Sequence, residues 1–188
     1  MTDYFALLGQ PRLPHLDQNA IQHAFRERAR LLHPDANSAA ESEAFIELNN
    51  ALGALRDPRL RLQHLLVLEN SEPATEGLGS ELADLFSRAA EIAHRSKQEI
   101  GVAQTSASAI TQSMRQVKRW QISEQLGSFL QELESNELEA QCDLGRLNKK
   151  WNNNRDAAIA EAKRLQQRFT FIQRWLETLR ELQFQLQH

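Results

Sequence analysis

The chain has 188 residues, of which 41% are hydrophobic, and a formal net charge of −3, enough apolar content to bury one core or two small ones but too little length for a large enzyme scaffold. That charge excludes whole-molecule attraction to nucleic acid or to an anionic membrane, so any basic patch must be local. One cysteine, Cys142, and six scattered histidines make neither a disulfide framework nor a zinc-ligand spacing.

Seven Gly and five Pro are few, and runs rich in Ala, Leu, Gln, Glu and Arg recur from end to end, which predicts an all-α protein. The opening MTDYFALLGQ has no basic, apolar leader, and no run approaches membrane-spanning length. The expectation is a soluble cytoplasmic protein with no nucleic-acid or membrane partner, no metal and no cofactor.

The first amphipathic helix starts at Asp17, a capping residue, with Leu16 and Ile21 placed as a hydrophobic staple. Its inner face is Ile21, Ala24, Phe25, Ala29 and Leu32, and its outer stripe is His23, Arg26 and Arg30 at spacings of three and four. Arg28 is out of place, on the inner side; it either snorkels or pairs with a carboxylate. Pro34 ends this helix, because it disfavours the α conformation at His33 and has no N–H to donate. A loop, DANSAAES, leads to a second helix over about 41–55, whose Phe45, Leu48, Leu52 and Leu55 form the face that packs back against the first. The run RDP at 56–58 stops it, and RLRLQHLLVLE adds a short helix carrying Leu62, Leu65 and Leu66. These elements close an N-terminal unit over residues 1–69.

Residues 70–80 have Pro, Gly and Ser without an apolar period and read as a linker. A helical bundle over 81–188 follows. Leu82, Leu85, Phe86, Ala89 and Ala93 mark its first helix, broken over 101–108. A longer helix carries Ile122, Leu126, Phe129, Leu133, Ala140, Leu144 and Leu147, with room for a kink near Gly127 or Ser135-Asn136. A third, capped by Asn153 or Asn154, repeats apolar residues from Ala158 to Leu186. Three such helices make a three-helix bundle.

His33 and Asp35 could in principle be a general base and its orienting carboxylate, but no nucleophile motif, metal cluster or phosphate loop completes such a site, so no enzyme is expected. Taken together, DYFALLG at 3–9, the basic helix, His33-Pro34-Asp35, FIELNNALGAL at 45–55 and DPRLR at 57–61 resemble in order and spacing the J domain of DnaJ-type co-chaperones. The resemblance implies an antiparallel helical hairpin with short flanking helices. It also implies that His33, Pro34 and Asp35, with Arg26 and Arg30, dock on a DnaK/HscA-type heat-shock chaperone and stimulate its ATP hydrolysis. Ala36 stands where J domains commonly place a lysine.

The plan of an N-terminal J domain, a linker and a C-terminal bundle, with RLQHLLVL at 61–68 and RFTFIQRWLETLREL at 168–182, is similar to the HscB branch, co-chaperones of iron–sulfur cluster assembly. In that branch the bundle presents an IscU-type scaffold. The matching candidates here are Leu82, Leu85, Phe86, Phe171 and Trp175, with Glu91 and Leu182 near them. Phe171 and Trp175 lie off the main apolar stripe, so they either widen the buried face or form an exposed client patch. The alternative is a J-domain protein that recruits a DnaK-type chaperone to an unrelated client.

Overall fold

The computed structural model describes residues 2–31, 39–71, 79–101 and 109–187. His33, Pro34, Asp35 and Ala36 lie outside the described residues. Every regular element among those described is a helix: α1 (Tyr4–Leu8), α2 (Gln18–Leu31), α3 (Ala39–Arg56), α4 (Pro58–Leu68), α5 (Ser80–Ile100), α6 (Ala109–Asn153) and α7 (Arg155–Gln187). The all-α expectation holds.

Local chemistry sets the ends. Asp3 caps α1, its Oδ1 accepting from the amides of Phe5 (2.9 Å) and Ala6 (3.2 Å), and Gly9 closes that helix with φ at 60°, the left-handed turn that glycine enters without steric cost. Asp17 Oδ1 accepts from Asn19 N at 2.9 Å, with Leu16 and Ile21 both buried beside it. Asp57 caps α4 ahead of Pro58, which needs no N–H in the first turn. Asn154, not Asn153, caps α7, its Oδ1 taking the amide of Ala157 at 3.3 Å. Helix α6 runs without interruption through Gly127 and Ser135-Asn136. Ser135 Oγ and Asn136 Nδ2 donate back to the carbonyls of Gln131 (2.9 Å) and Glu132 (3.0 Å), so these polar side chains bond along the helix instead of breaking it.

The chain forms two compact units. The first is Met1–Thr75 with Ala140–Phe169. Here α3 packs on α1, α2 and α4, and its buried face is Leu48, Ala51 and Leu55. Phe45, expected on that face, is exposed. Ala51, between Leu48 and Leu55, is fully buried in the same core. The same core contains Ala140, Leu144, Leu147 and Trp151 of α6 and Ala158, Ala162, Leu165 and Phe169 of α7. Polar pairs line its edge: Asn148 accepts from His15 N (2.8 Å) and donates to His15 O (2.9 Å), and Arg155 grips Glu69 with two bonds (2.6 and 3.0 Å) while its guanidinium lies 4.3 Å from the Trp151 ring centre.

Among the described residues of this unit, Arg61 is the most buried charge. Its Nε donates to Pro14 O at 2.7 Å and its Nη1 to Leu55 O at 2.6 Å, tying α4 to the end of α3 and to the segment before α2. Burial pushes its pKa down to about 10, with Asp57 opposing, so it stays charged at neutral pH. Two carbonyls that the fold removes from water find their donor in this one side chain.

The second unit is Glu76–Glu139 with Thr170–His188. Leu85, Ala89 and Ala93 of α5, Leu126, Phe129 and Leu133 of α6, and Ile172, Leu176 and Leu179 of α7 fill its core. Cross-helix ion pairs hold the register: Arg88 with Glu132 (2.7 Å), Lys118 with Glu99 (3.0 Å) and Arg180 with Glu134 (2.7 Å). The long apolar repeat of α7 therefore serves two cores, one up to Phe169 and one from Phe171.

Candidate functional site

Helix α2 buries Ile21 and leaves His23, Arg26 and Arg30 exposed, so the three basic side chains share one accessible stripe, as their spacing predicts. Arg30 contacts Glu27 at 2.9 Å, an exposed pair three residues apart; such a pair contributes little to stability and leaves the arginine available. Leu31, the last residue of α2, is exposed as well. The stripe thus lies on the helix that precedes residues 33–35 in the sequence.

Arg28 resolves differently from either sequence expectation. Its Nη1 donates to Leu7 O, in the last turn of α1, where unpaired carbonyls and the negative end of the helix dipole attract a cation. The guanidinium also lies so close to Gly9 that a Cβ there would come within 2.7 Å of Nη2. The positive φ is what requires glycine at position 9; a Cβ there would in addition displace the Arg28 guanidinium. The consequence is orientation, because fixing Arg28 to α1 fixes which side of α2 carries Arg26 and Arg30.

His64 secures the other side of α1. Its Nε2 accepts from Tyr4 N at 3.1 Å, which assigns the ring proton to Nδ1, and the imidazole stacks on Tyr4 with centroids 4.5 Å apart. Burial lowers its pKa, and Arg12 adds to the lowering while Asp3 opposes it. The neutral form is then the folded form. Unfolding frees the ring to titrate at its ordinary value of about 6.5, so the contribution of His64 is complete above that pH and is lost as pH falls from there toward the lower folded value. Urea midpoints should drop between pH 7.5 and pH 5.5 in the parent chain and drop less in His64→Gln; equal pH slopes would remove His64 from the account.

The second candidate lies on α5 and α7. Phe86, Phe171 and Trp175 form an aromatic cluster, with centroids 5.8 Å apart for Phe86–Trp175 in an edge-to-face arrangement, 6.2 Å for Phe86–Phe171 and 6.4 Å for Phe171–Trp175. The cluster is layered. Phe171 is 8% exposed and Phe86 46%, with Trp175 and Leu82 half-buried between these extremes and Leu85 and Leu182 in the core. So the two open readings of Phe171 and Trp175 divide: Phe171 widens the buried face, and Trp175 with Phe86 reaches the surface. Sequence periodicity put Phe86 and Leu85 together because they are adjacent; only the bundle separates one as outer and one as inner. Glu91 is exposed and lines a groove with Arg88, Arg95, Glu124 and Glu132.

Among the described residues no three His, Cys, Asp or Glu side chains gather as a metal site, and no helix is long and apolar enough to cross a membrane. Residues 3–64 match the family described as the DnaJ domain. Over 60 residues, 31% of this chain, the sequence is 43% identical to the chaperone protein DnaJ 2 of Thermus thermophilus and 45% identical to the chaperone protein DnaJ of a Roseiflexus species. The matches span 21% and 16% of those relatives. Two solved structures are similar across nearly the whole chain. The chaperone HscB from Vibrio cholerae has a TM-score of 0.57 at 17% identity, covering 98% of this chain and 99% of its own. The human co-chaperone protein HscB has a TM-score of 0.63 at 18% identity, covering 96% and 82%. At those identities the likeness is one of fold.

Proposed function

We propose, from a chain whose residues 3–64 are a DnaJ domain and whose fold is that of HscB, that the protein is a co-chaperone of a DnaK/HscA-type ATPase. Residues His33, Pro34 and Asp35 dock on that partner together with Arg26 and Arg30, and docking accelerates its ATP hydrolysis. The observation that supports this most directly is the exposed stripe of His23, Arg26 and Arg30 on the helix leading into 33–35, inside the matched domain. Exposed cations on one helix face raise the encounter rate with an acidic surface, and Pro34 fixes its own backbone φ, so that residue has less freedom to lose on binding. The bond that breaks and the groups that break it belong to the partner.

In the same reading, the C-terminal part presents a client, an iron–sulfur scaffold of the IscU type, through Phe86, Trp175 and Leu82. Phe171 and Leu85 support these side chains from beneath. The layering suits that task, since a surface aromatic seated on a buried one is held in place before binding. The domain boundaries that go with it are 1–69 for the J domain, 70–80 for the linker and 81–188 for the client-binding part.

Single-turnover ATP hydrolysis by an HscA- or DnaK-type chaperone, with and without the full chain, tests the first statement. Acceleration of several-fold or more is expected, and none would dismiss it. Titration of the full chain with an IscU-type protein tests the second. Binding in the micromolar range that weakens about tenfold in Phe86→Ala is expected, the scale of a hot-spot residue. If the scaffold does not bind while ATPase stimulation persists, the chain serves an unrelated client.

A further inference from the structure

Between Ile110 and Gln121, α6 buries no side chain. Yet Ile110, Met114, Val117 and Trp120 are spaced by four, three and three, and their exposures are 74, 69, 56 and 64%. At about 100° per residue this stripe faces away from Ile122, Leu126 and Phe129, which enter the core. Nothing among the described residues covers it. Four large apolar side chains on one outer face are more than the scattered single exposures that need no explanation.

The charges near the stripe are either engaged already or placed at its end. Lys118, on the flank, pairs with Glu99 at 3.0 Å. Arg119 points to the other side of the helix and donates to the carbonyls of Leu186 (2.6 Å) and Gln185 (3.2 Å). Ser113 and Gln121, which share the face, are uncharged, and Glu124 closes it one turn beyond Trp120. Along its apolar length the face therefore carries no charge that would select an acidic or a basic partner, and none that would repel a copy of itself.

We propose that the stripe is a self-association face, on which a second copy of the chain packs antiparallel about a two-fold axis at Val117. Such a contact is isologous: Val117 meets its own copy, and on each side of the axis Trp120 lies against Met114 of the second copy, a favourable indole–thioether pairing. The two Glu124 side chains then stand about 20 Å apart along the helix, at 1.5 Å per residue, beyond the Debye length of about 8 Å at physiological salt. Each falls at the end of the contact, where its carboxylate keeps its water. A parallel pairing would set the two carboxylates side by side and continue into the polar surface of Ser128 and Gln131. Because the stripe begins at the N-terminal end of α6, the remainder of each helix in the antiparallel pair continues away from the contact in opposite directions. Four side chains from each copy, with their flanks, supply on the order of 1,000 Å² of buried surface, the lower limit for a specific interface, which sets the expectation of a reversible dimer. Phe86 and Trp175 stand on α5 and α7, so this face is separate from the client candidate.

The test is sedimentation velocity of the full chain over a rising concentration series. A reversible dimer is expected with a dissociation constant on the order of 10 µM, the weak end for a contact of this size. It should weaken at least tenfold in Met114→Asp with Val117→Asp, both at exposed positions, while circular dichroism and the urea midpoint stay close to the parent's. In a Cys142→Ser background, Val117→Cys should give a disulfide-linked dimer under mild oxidation, because the two-fold axis brings position 117 to its own copy. The parent chain should not, since its exposed Cys142 lies about seven turns further along α6. Dimerisation unchanged by the double aspartate substitution, or a Val117→Cys chain that links no faster than the parent does through Cys142, would overturn the proposal. So would a chain that stays monomeric throughout, which would leave the stripe to a lipid surface or to another protein.

Discussion

Replacing Trp151 with alanine should lower the unfolding free energy by about 3–5 kcal/mol, the cost of emptying a large aromatic site in a packed core. Trp151 is 1% exposed among Leu144, Leu147 and the core side chains of residues 1–75, so the vacated space is lined by groups that cannot all move into it. Arg155 would lose the ring it lies over, although its grip on Glu69 would remain. The expected signature is regional. Amide exchange should accelerate in α1, α3 and α4 as well as around position 151, because these elements share one core, while amides near Leu133 and Leu176 in the other core change less. Exchange confined to α6 would show that the N-terminal elements do not depend on Trp151. The same packing makes the full chain the proper reagent for scaffold binding, since removing residues 1–75 would uncover Leu144, Leu147 and Trp151.

That dependence was not legible in the sequence, and the reason is physical. Local chemistry reads well: Asp17 announces a helix start, the RDP stop at 56–58 falls where α3 ends, and the period of α7 is regular, because caps and faces are decided by neighbours within a turn or two. Period gives a direction, though, and not a partner. Trp151, inside WNNN, looks like a helix end, and it becomes core only because apolar side chains of residues 1–75 pack in the same cluster, where His15 also meets Asn148 and Glu69 meets Arg155, residues 133 and 86 apart in the chain. Phe45 fits the apolar face of α3 by spacing, yet it lies outside, while Ala51, a residue too small to stand out in a pattern, is fully buried. Arg28 was visible as an anomaly, but its partner is a main-chain carbonyl of another helix, which no side-chain pattern displays. At the candidate sites the basic stripe was legible because exposure follows directly from opposition to Ile21. The aromatic cluster was legible only as a set, and which ring faces outward depends on two helices at once.

The docking proposal makes its sharpest demand through two kinds of substitution that should fail differently. Reversing Arg26 and Arg30 to glutamate changes four units of charge on an exposed face while leaving Arg28 on Leu7 and the core untouched. The concentration of this chain that half-saturates the partner's ATPase should rise about tenfold or more at low ionic strength, within the range that electrostatic steering spans. The gap should narrow toward 0.5 M salt, where the Debye length falls well below its value of about 10 Å at 0.1 M. His33→Gln removes no formal positive charge at neutral pH, and its loss should be one of maximal stimulation at saturating concentration, with no dependence on salt. The two variants thus separate approach from productive contact. A charge reversal whose defect is the same at every ionic strength would end the steering account, and a His33→Gln chain that stimulates fully would end the docking role of residues 33–35 itself.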